Sequence, residues 1–134
     1  MVDLLTLYFV GLLGAAVHET GHVVACWASG RWIRGVRIGS GVGFGLGKLR
    51  FGLIPWGGGV TFESRGESVP NRLLLYGSGP VASAVFAVVL MLGSSLSYWS
   101  IAASILVVLQ LAMSLLPTAG SDFANMRKRD EHEL

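Results

Sequence analysis

The stretch "AAVHETGHVVAC", Ala15 to Cys26, places two histidines and a glutamate in a segment that is otherwise apolar enough to cross a lipid bilayer. Ionisable side chains at membrane depth are costly and are rarely found there without a function. His18 and His22 are four residues apart, so they lie one turn apart on the same face of a helix and can bind one zinc ion. The adjacent Glu19 can act as a general base. This stretch therefore predicts a membrane helix that carries a metal site.

The composition also indicates a membrane protein. Of the 134 residues, 52% are hydrophobic and 13% are charged, and the mean hydropathy is +0.62. A soluble domain carries about 25% charged residues. The net charge is only +2, and the basic residues are interspersed with glycine, which argues against nucleic-acid binding. The length fits a single domain, residues 1–134, which we expect to contact the lipid bilayer.

The positions of the charges predict three transmembrane helices. Between Leu4 and Gly30 the only acidic or basic residue is Glu19, and between Leu73 and Ser121 there is none. Because about 20 apolar residues span a bilayer, we predict spans at approximately 4–28, 73–96 and 98–117, followed by a polar tail at 124–134.

All Lys and Arg residues fall in two regions, Arg31–Arg72 and Arg127–Arg129. Three spans place both regions on the same side of the membrane. The excess of basic residues in cytoplasmic loops then assigns residues 29–72 and the C-terminus to the cytoplasm and the N-terminus to the outside. We therefore expect a multi-pass protein of the cell membrane.

Glycines recur at every second position between the first two spans, which is the periodicity of a β-strand: they are Gly39, Gly41, Gly43, Gly45 and Gly47. We predict a Gly-rich, membrane-associated β-hairpin or three-stranded sheet over residues 36–63, with a turn at 54–57. A face without side chains lets another backbone approach closely. It is either an edge to which an extended substrate segment adds as a strand or a flexible linker, and the sequence leaves both open.

A catalytic zinc ion needs a third protein ligand, for which the candidates are Cys26, Glu63, Glu67, Asp122 and His132. Asp122 is the first charged residue after the long uncharged stretch, at the cytoplasmic end of the third span. We expect that end to lie at the depth of His18 and His22. The alternatives are a solvent-exposed carboxylate at position 122 and histidines that only hydrogen-bond between helices.

Four motifs resemble those of the site-2 protease family of intramembrane zinc metalloproteases, in the family's order: His18–His22 ("HETGH"), Gly52–Val60 ("GLIPWGGGV"), Gly77–Pro80 ("GSGP") and Ser114–Phe123 ("SLLPTAGSDF"). The resemblance covers residues 4–123. The position of the zinc motif in the first span is most similar to the bacterial regulator-of-sigma-E protease branch, without that branch's PDZ domain.

This resemblance implies one Zn²⁺ per chain, bound by His18, His22 and Asp122, with Glu19 as the catalytic base. It also implies hydrolysis of a peptide bond in or near a transmembrane segment of a membrane protein or peptide. We expect substrate contacts from Ser83, Ser114 and three glycines of the third motif, namely Gly57, Gly58 and Gly59.

Three positions depart from the family pattern. Ser83 and Ser114 stand where the family commonly has asparagine, and Phe123 replaces the glycine after the aspartate. An amide side chain can hold a substrate backbone or a developing oxyanion, and loss of such a donor can lower the rate by about 10²–10³. The alternative is therefore a non-proteolytic homologue that binds membrane partners or acts as a regulatory protein.

Overall fold

In the computed structural model, the described part of the chain folds as one helix, two paired strands and two further helices. The structure describes residues 2–63, 69–93, 98–116 and 122. The elements in chain order are α1 (Val2–Ala28), β1 (Ile33–Leu46), β2 (Leu49–Phe62), α2 (Val69–Gly93) and α3 (Tyr98–Leu115). This order confirms the prediction of three helices with a β-hairpin between the first and the second.

Two of the helices are long and apolar enough to cross a membrane, over Leu4–Ala28 and Asn71–Gly93; the apolar part of α3, Ile101–Leu115, is shorter. The predicted span at 73–96 begins later than α2 because that prediction started at the first run of leucines, whereas the helix includes the more polar turn before it. Residues 94–96, position 117 and the predicted polar tail lie outside the described residues.

The helices direct their large apolar side chains outward and enclose small and polar residues. Glu19, His22 and Ser83 are buried, whereas the outward faces of the three helices expose large apolar residues such as Leu4, Phe9, Leu13, Trp27, Val81, Val85, Leu92, Ile105 and Met113. A soluble helix bundle has the opposite distribution. Gly21 of α1 lies so close to the Ser78 carbonyl of α2 that a Cβ atom would clash with it, which brings the two helices into close contact.

β1 and β2 form an antiparallel pair that reverses direction at Gly47 and Lys48. Gly47 has a φ of +60°, a conformation that favours glycine in tight turns. The predicted turn at 54–57 is wrong, because these residues belong to β2. Gly57 has a φ of +72°, so the strand bends at the predicted position but continues. The proline and glycines that suggested a turn are those of an irregular strand.

The hairpin is folded back on itself. Val36, Arg37 and Ile38 each have two Cα partners, one in residues 58–60 and one in residues 49–51. Residues 33–38 therefore lie between the two ends of β2, and Gly39 and Gly41 bend β1 with φ values of +76° and +74°. The hairpin alternative of the sequence prediction is confirmed, and the flexible-linker alternative is wrong, because the glycine-rich segment is paired strand.

Some of these glycines are required by the chain's own backbone. A Cβ atom on Gly39 would lie 2.6 Å from the carbonyl oxygen of Ile54, and one on Gly52 would meet the backbone of Ser40. The close approach that the alternating glycines predicted thus occurs within the folded-back hairpin.

The second half of β2 lies along α1 and runs in the same direction as the helix. Phe62 packs against the buried cluster of Ala25, Cys26 and Leu75, while the Tyr8 hydroxyl donates a hydrogen bond to the carbonyl of Leu53 at 2.9 Å. Between these ends the Gln110 amide of α3 donates to the carbonyl oxygens of Gly11 (3.0 Å) and Pro55 (3.1 Å). These contacts fix the middle of β2 beside the face of α1 that carries Glu19.

Candidate metal site

α1 places two imidazoles side by side on its face towards α2. The Nε2 atoms of His18 and His22 are 3.3 Å apart, and both rings are largely shielded from solvent. Asp122, which follows α3 in the chain, completes the group: its Oδ2 lies 3.0 Å from Nε2 of His18 and its Oδ1 lies 3.3 Å from Nε2 of His22. Two neighbouring histidines of α1 and an aspartate about a hundred residues later therefore converge on one point.

The opposite ring nitrogen of each histidine is also in contact with the protein. Nδ1 of His22 donates to the carbonyl oxygen of Leu75 at 2.6 Å, and Nδ1 of His18 lies 2.9 Å from the hydroxyl of Ser83. The hydroxyl of Ser78 also lies near Nδ1 of His22, at 3.4 Å. A donated Nδ1 proton leaves Nε2 as a lone-pair donor, and metal-binding histidines are oriented by contacts of this kind.

The donor set fits a small divalent cation. Two lone-pair nitrogens and a carboxylate cannot hydrogen-bond to one another without an added proton, yet they lie 3.0 to 3.3 Å apart. Ligand atoms at zinc distances in a tetrahedron are separated by about 3.3 to 3.4 Å. Of the described residues, His18, His22 and Asp122 form the group that could hold a metal ion.

Asp122 is held in the form that binds a cation. Burial opposes ionisation of its carboxyl group, but when the imidazoles carry a proton at Nε2 their contacts with Asp122 outweigh burial and hold the pKa of this carboxyl group below its usual range. A carboxylate binds a metal in its deprotonated form. The site therefore contains an ionised ligand near neutral pH.

Gly79 of α2 leaves the space that the two rings occupy. A Cβ atom at this position would lie 2.7 Å from Nε2 of His18 and would also clash with Nε2 of His22. In the sequence this glycine stands out only as a member of the "GSGP" motif. The motif marks Gly79 as a candidate functional position, but only the folded helix pair shows that this glycine faces the imidazoles.

Glu19 is buried beside the metal-binding group and faces the sheet. It is 5% exposed, and its Oε2 atom has no hydrogen-bond partner among the described residues. A Cβ atom on Gly58 would lie 2.6 Å from Oε1 of Glu19. A buried carboxylate oxygen without a partner is costly, so this arrangement is that of a group kept free for a proton or a bound molecule.

The other predicted residues are placed as follows. Gly57 is exposed and Gly59 is half-buried on β2, while the Ser114 hydroxyl donates to the Leu111 carbonyl of its own helix at 2.8 Å. Their assignment to substrate binding stays a prediction, as does that of Ser83.

Two of the other candidates for the third metal ligand lie away from the site. Cys26 is fully buried in an apolar cluster, and Glu63 pairs with Arg34, so neither joins the metal-binding group. Glu67, Phe123 and His132 lie outside the described residues.

With this geometry established, comparison with known families identifies the class of protein. The model of the Peptidase M50B-like family matches residues 3–119, and the chain belongs to this family. Its membership points to a membrane metallopeptidase and confirms the family that the four sequence motifs predicted. No curated protein matches the chain.

Proposed function

We propose that the protein is an intramembrane zinc endopeptidase that hydrolyses a peptide bond in or near a transmembrane segment of its substrate. The observation that carries this proposal is the convergence of His18, His22 and Asp122 beside the buried carboxylate of Glu19, whose Oε2 has no hydrogen-bond partner among the described residues. Membership of a peptidase family supports the same activity. His18, His22 and Asp122 would hold one zinc ion per chain.

In this mechanism the residues of the chain have separate tasks. A zinc ion, when bound, supplies Lewis acidity that polarises the scissile carbonyl and lowers the pKa of water. Glu19 accepts the proton of the attacking water and returns it to the leaving amine nitrogen. The Leu75 carbonyl and the Ser83 hydroxyl hold the two imidazoles in orientation.

The substrate would bind as an extended strand along β2. Among the described residues, positions 58–62 have a strand partner on one side only, in residues 33–38. A peptide bond is cleaved most readily in an extended chain, and strand addition fixes such a chain through its backbone. Because Gly58 lies against Glu19, a segment added along these residues passes close to the base.

The proposal also places the helices in the membrane. The outward apolar faces and the enclosed polar residues are what a lipid environment favours. The basic residues of 29–72 favour the cytoplasmic side for the two ends of this segment and for the C-terminus, while the contact of Leu53 with Tyr8 draws the middle of the segment along α1 into the bilayer. With Cys26 replaced by alanine, an Arg34→Cys variant should react with a membrane-impermeant maleimide only after cells are opened. Labelling of intact cells would reverse the proposed orientation.

The test of the activity is a matched pair of carboxylate variants in the full chain, purified in detergent and supplied with a model transmembrane peptide. Glu19→Gln should lower cleavage by at least about 10²-fold and should leave one zinc per chain. The control Glu63→Gln removes a carboxylate that pairs with Arg34 on the hairpin and should cleave at the wild-type rate. Unchanged cleavage by Glu19→Gln would remove the mechanism.

A second function, that of a non-proteolytic membrane binding or regulatory protein, is favoured by the contacts of two serines. The Ser114 hydroxyl is bonded within its own helix and the Ser83 hydroxyl lies against His18, so neither replaces a free asparagine amide. This alternative predicts stoichiometric zinc, binding of the transmembrane peptide and no cleavage. Cleavage that depends on Glu19 would exclude it.

A further inference from the structure

A recess of about 470 Å³ opens on the folded-back hairpin, away from the metal site. It is lined by Arg37, Arg50, two phenylalanines and four of the alternating glycines, namely Gly41, Gly43, Gly45 and Gly47. These glycines are the feature of the sequence that the proposed peptidase mechanism leaves unexplained.

The two arginines stand next to each other on one face of the sheet. Arg37 and Arg50 are Cα partners in adjacent strands, so their side chains project from the same face. The next partners in the same row are glycines, Gly59 beside Arg37 and Gly45 beside Arg50. The row Gly59–Arg37–Arg50–Gly45, here called the arginine row, therefore has space on both sides of the guanidinium groups.

The charge of the arginine row is not compensated within the described part of the chain. Like charges directly opposite each other destabilise a sheet, yet from Arg31 to Phe62 the sequence contains five basic residues and no acid. The nearby Glu63 pairs with Arg34. Arg37 donates to the carbonyl oxygen of Gly41 at 2.6 Å, and no ion pair joins either arginine of the row to a described residue. The arrangement fits an anion that accepts hydrogen bonds from both guanidiniums.

The chemistry of the surroundings indicates which anion this is. Guanidinium groups bind phosphate oxygens in pairs of parallel hydrogen bonds. The same hairpin exposes apolar side chains from the alternate positions, with Val42 83%, Phe44 62% and Leu46 71% exposed. The stacked rings of Phe44 and Phe51, 5.4 Å apart, also line the recess. A ligand that combines a phosphate with long apolar chains matches both features.

We propose that Arg37 and Arg50 bind the phosphate of an anionic phospholipid in this recess, while Phe44 and Phe51, the two aromatic side chains that line it, contact its acyl chains. Gly45, where a Cβ atom would lie 3.4 Å from Cγ of Arg50, and Gly47, where it would meet nothing within 4 Å, leave the recess open for the headgroup. Neither arginine belongs to the metal-binding group, so lipid binding is independent of peptidase activity and is measured without it.

The test measures the dissociation constant of short-chain phosphatidylglycerol for the full chain in detergent, with short-chain phosphatidylcholine and inorganic phosphate as the two comparison ligands. Phosphatidylglycerol should bind most tightly. The double variant Arg37→Gln/Arg50→Gln should raise the dissociation constant of phosphatidylglycerol roughly thirtyfold, as expected for the loss of two arginines at an anionic lipid surface. The control Arg34→Gln/Lys48→Gln removes the same charge from the same hairpin outside the recess and should raise it at most about fivefold.

A third variant tests the recess without changing any charge. Gly45 has an ordinary backbone conformation, and a Cβ atom there would lie 3.4 Å from Cγ of Arg50, so Gly45→Val can fold but fills the space beside Arg50. It should weaken phosphatidylglycerol binding about tenfold. Wild-type zinc content and circular dichroism in all three variants show that the fold is kept.

Three results would overturn the proposal. Equal losses of affinity for phosphatidylglycerol in the two double variants would mean that the lipid is attracted unspecifically to a basic hairpin. Inorganic phosphate that binds as tightly as phosphatidylglycerol would make the recess a free-phosphate site. An unchanged dissociation constant for phosphatidylglycerol in Gly45→Val would show that the lipid does not enter the recess.

Discussion

The metal site and the folded-back hairpin both depend on glycine, but only the hairpin keeps open space beside some of its glycines. On the helices, Gly79 and Gly21 remove single side chains so that other groups can fill the space, imidazoles in one case and a neighbouring helix in the other. On the hairpin, Gly39 and Gly52 let backbone segments approach each other, whereas the space beside Gly45 and Gly47 stays open next to Arg50. The same residue type thus creates close packing in both regions, and in the hairpin it also leaves a recess.

The largest effect is expected where a glycine makes room for the metal ligands. In Gly79→Ala the new methyl group occupies the position of the His22 and His18 Nε2 atoms, so the rings must move apart. Zinc should bind at least about a hundredfold more weakly, as measured by competition with a chelator. Gly93→Ala, at the open end of α2 where a Cβ atom meets nothing within 4 Å, is the control and should bind zinc as the wild type does.

The next largest effect is expected where the two regions meet. Gly58→Ala places a methyl group 2.5 Å from the carbonyl oxygen of Arg37 and 2.6 Å from Oε1 of Glu19. It should shift β2 and the Glu19 carboxylate apart, lowering kcat about a hundredfold with zinc retained. In the control Gly35→Ala, on the partner strand, the nearest atom is the Lys48 carbonyl oxygen at 3.5 Å. If the two variants cleave equally well, contact with the hairpin does not position Glu19.

A smaller effect is expected from the contact that orients His18. Ser83→Ala removes the hydroxyl that lies 2.9 Å from Nδ1 and should weaken zinc binding about tenfold. Ser114→Ala should leave zinc affinity unchanged, because that hydroxyl donates to the Leu111 carbonyl of its own helix. A change of KM with no change of zinc affinity in Ser83→Ala would instead support the predicted contact with substrate.

The smallest effect concerns the attachment of the hairpin to the helices. Gln110→Met keeps the size of the side chain but removes the donor to the carbonyl oxygens of Gly11 and Pro55. The free energy of unfolding in detergent should fall by about 1 kcal/mol, with zinc affinity unchanged. Tyr8→Phe, which removes the single contact to the Leu53 carbonyl on an exposed part of the surface, should lower it by less. A larger loss of unfolding free energy in Tyr8→Phe than in Gln110→Met would mean that Gln110 is not the main contact that attaches the hairpin to the helices.

The helical half of the fold could be predicted because its signals are local. Two histidines four residues apart must share a helix face, and a span without charges must be long and apolar, so the positions of His18, Glu19 and His22 followed from adjacent residues. Asp122 required one further step, since only the order of the spans brings the end of the third helix to the depth of the first. The structure brings it within 3.0 Å of His18.

The presence of a hairpin could be predicted from the sequence, but the pairing of its strands could not. Its strands follow from the two-residue period of glycine, but their pairing depends on contacts between residues far apart in sequence, such as Arg37 with both Gly59 and Arg50. No local pattern distinguishes a reversal at residues 54–57 from a bend within a strand. For the same reason the contact between Gly58 and Glu19, which joins the two regions, was visible only in the folded chain.

The central claim is that His18, His22 and Asp122 share one zinc ion. X-ray absorption spectroscopy at the zinc edge, with zinc stoichiometry, on the wild type and Asp122→Ala tests it most directly. We expect one zinc per chain with two imidazole nitrogens among its ligands in the wild type, and a loss of most bound zinc in the variant. An undiminished zinc content with an unaltered coordination signal in Asp122→Ala would contradict the claim.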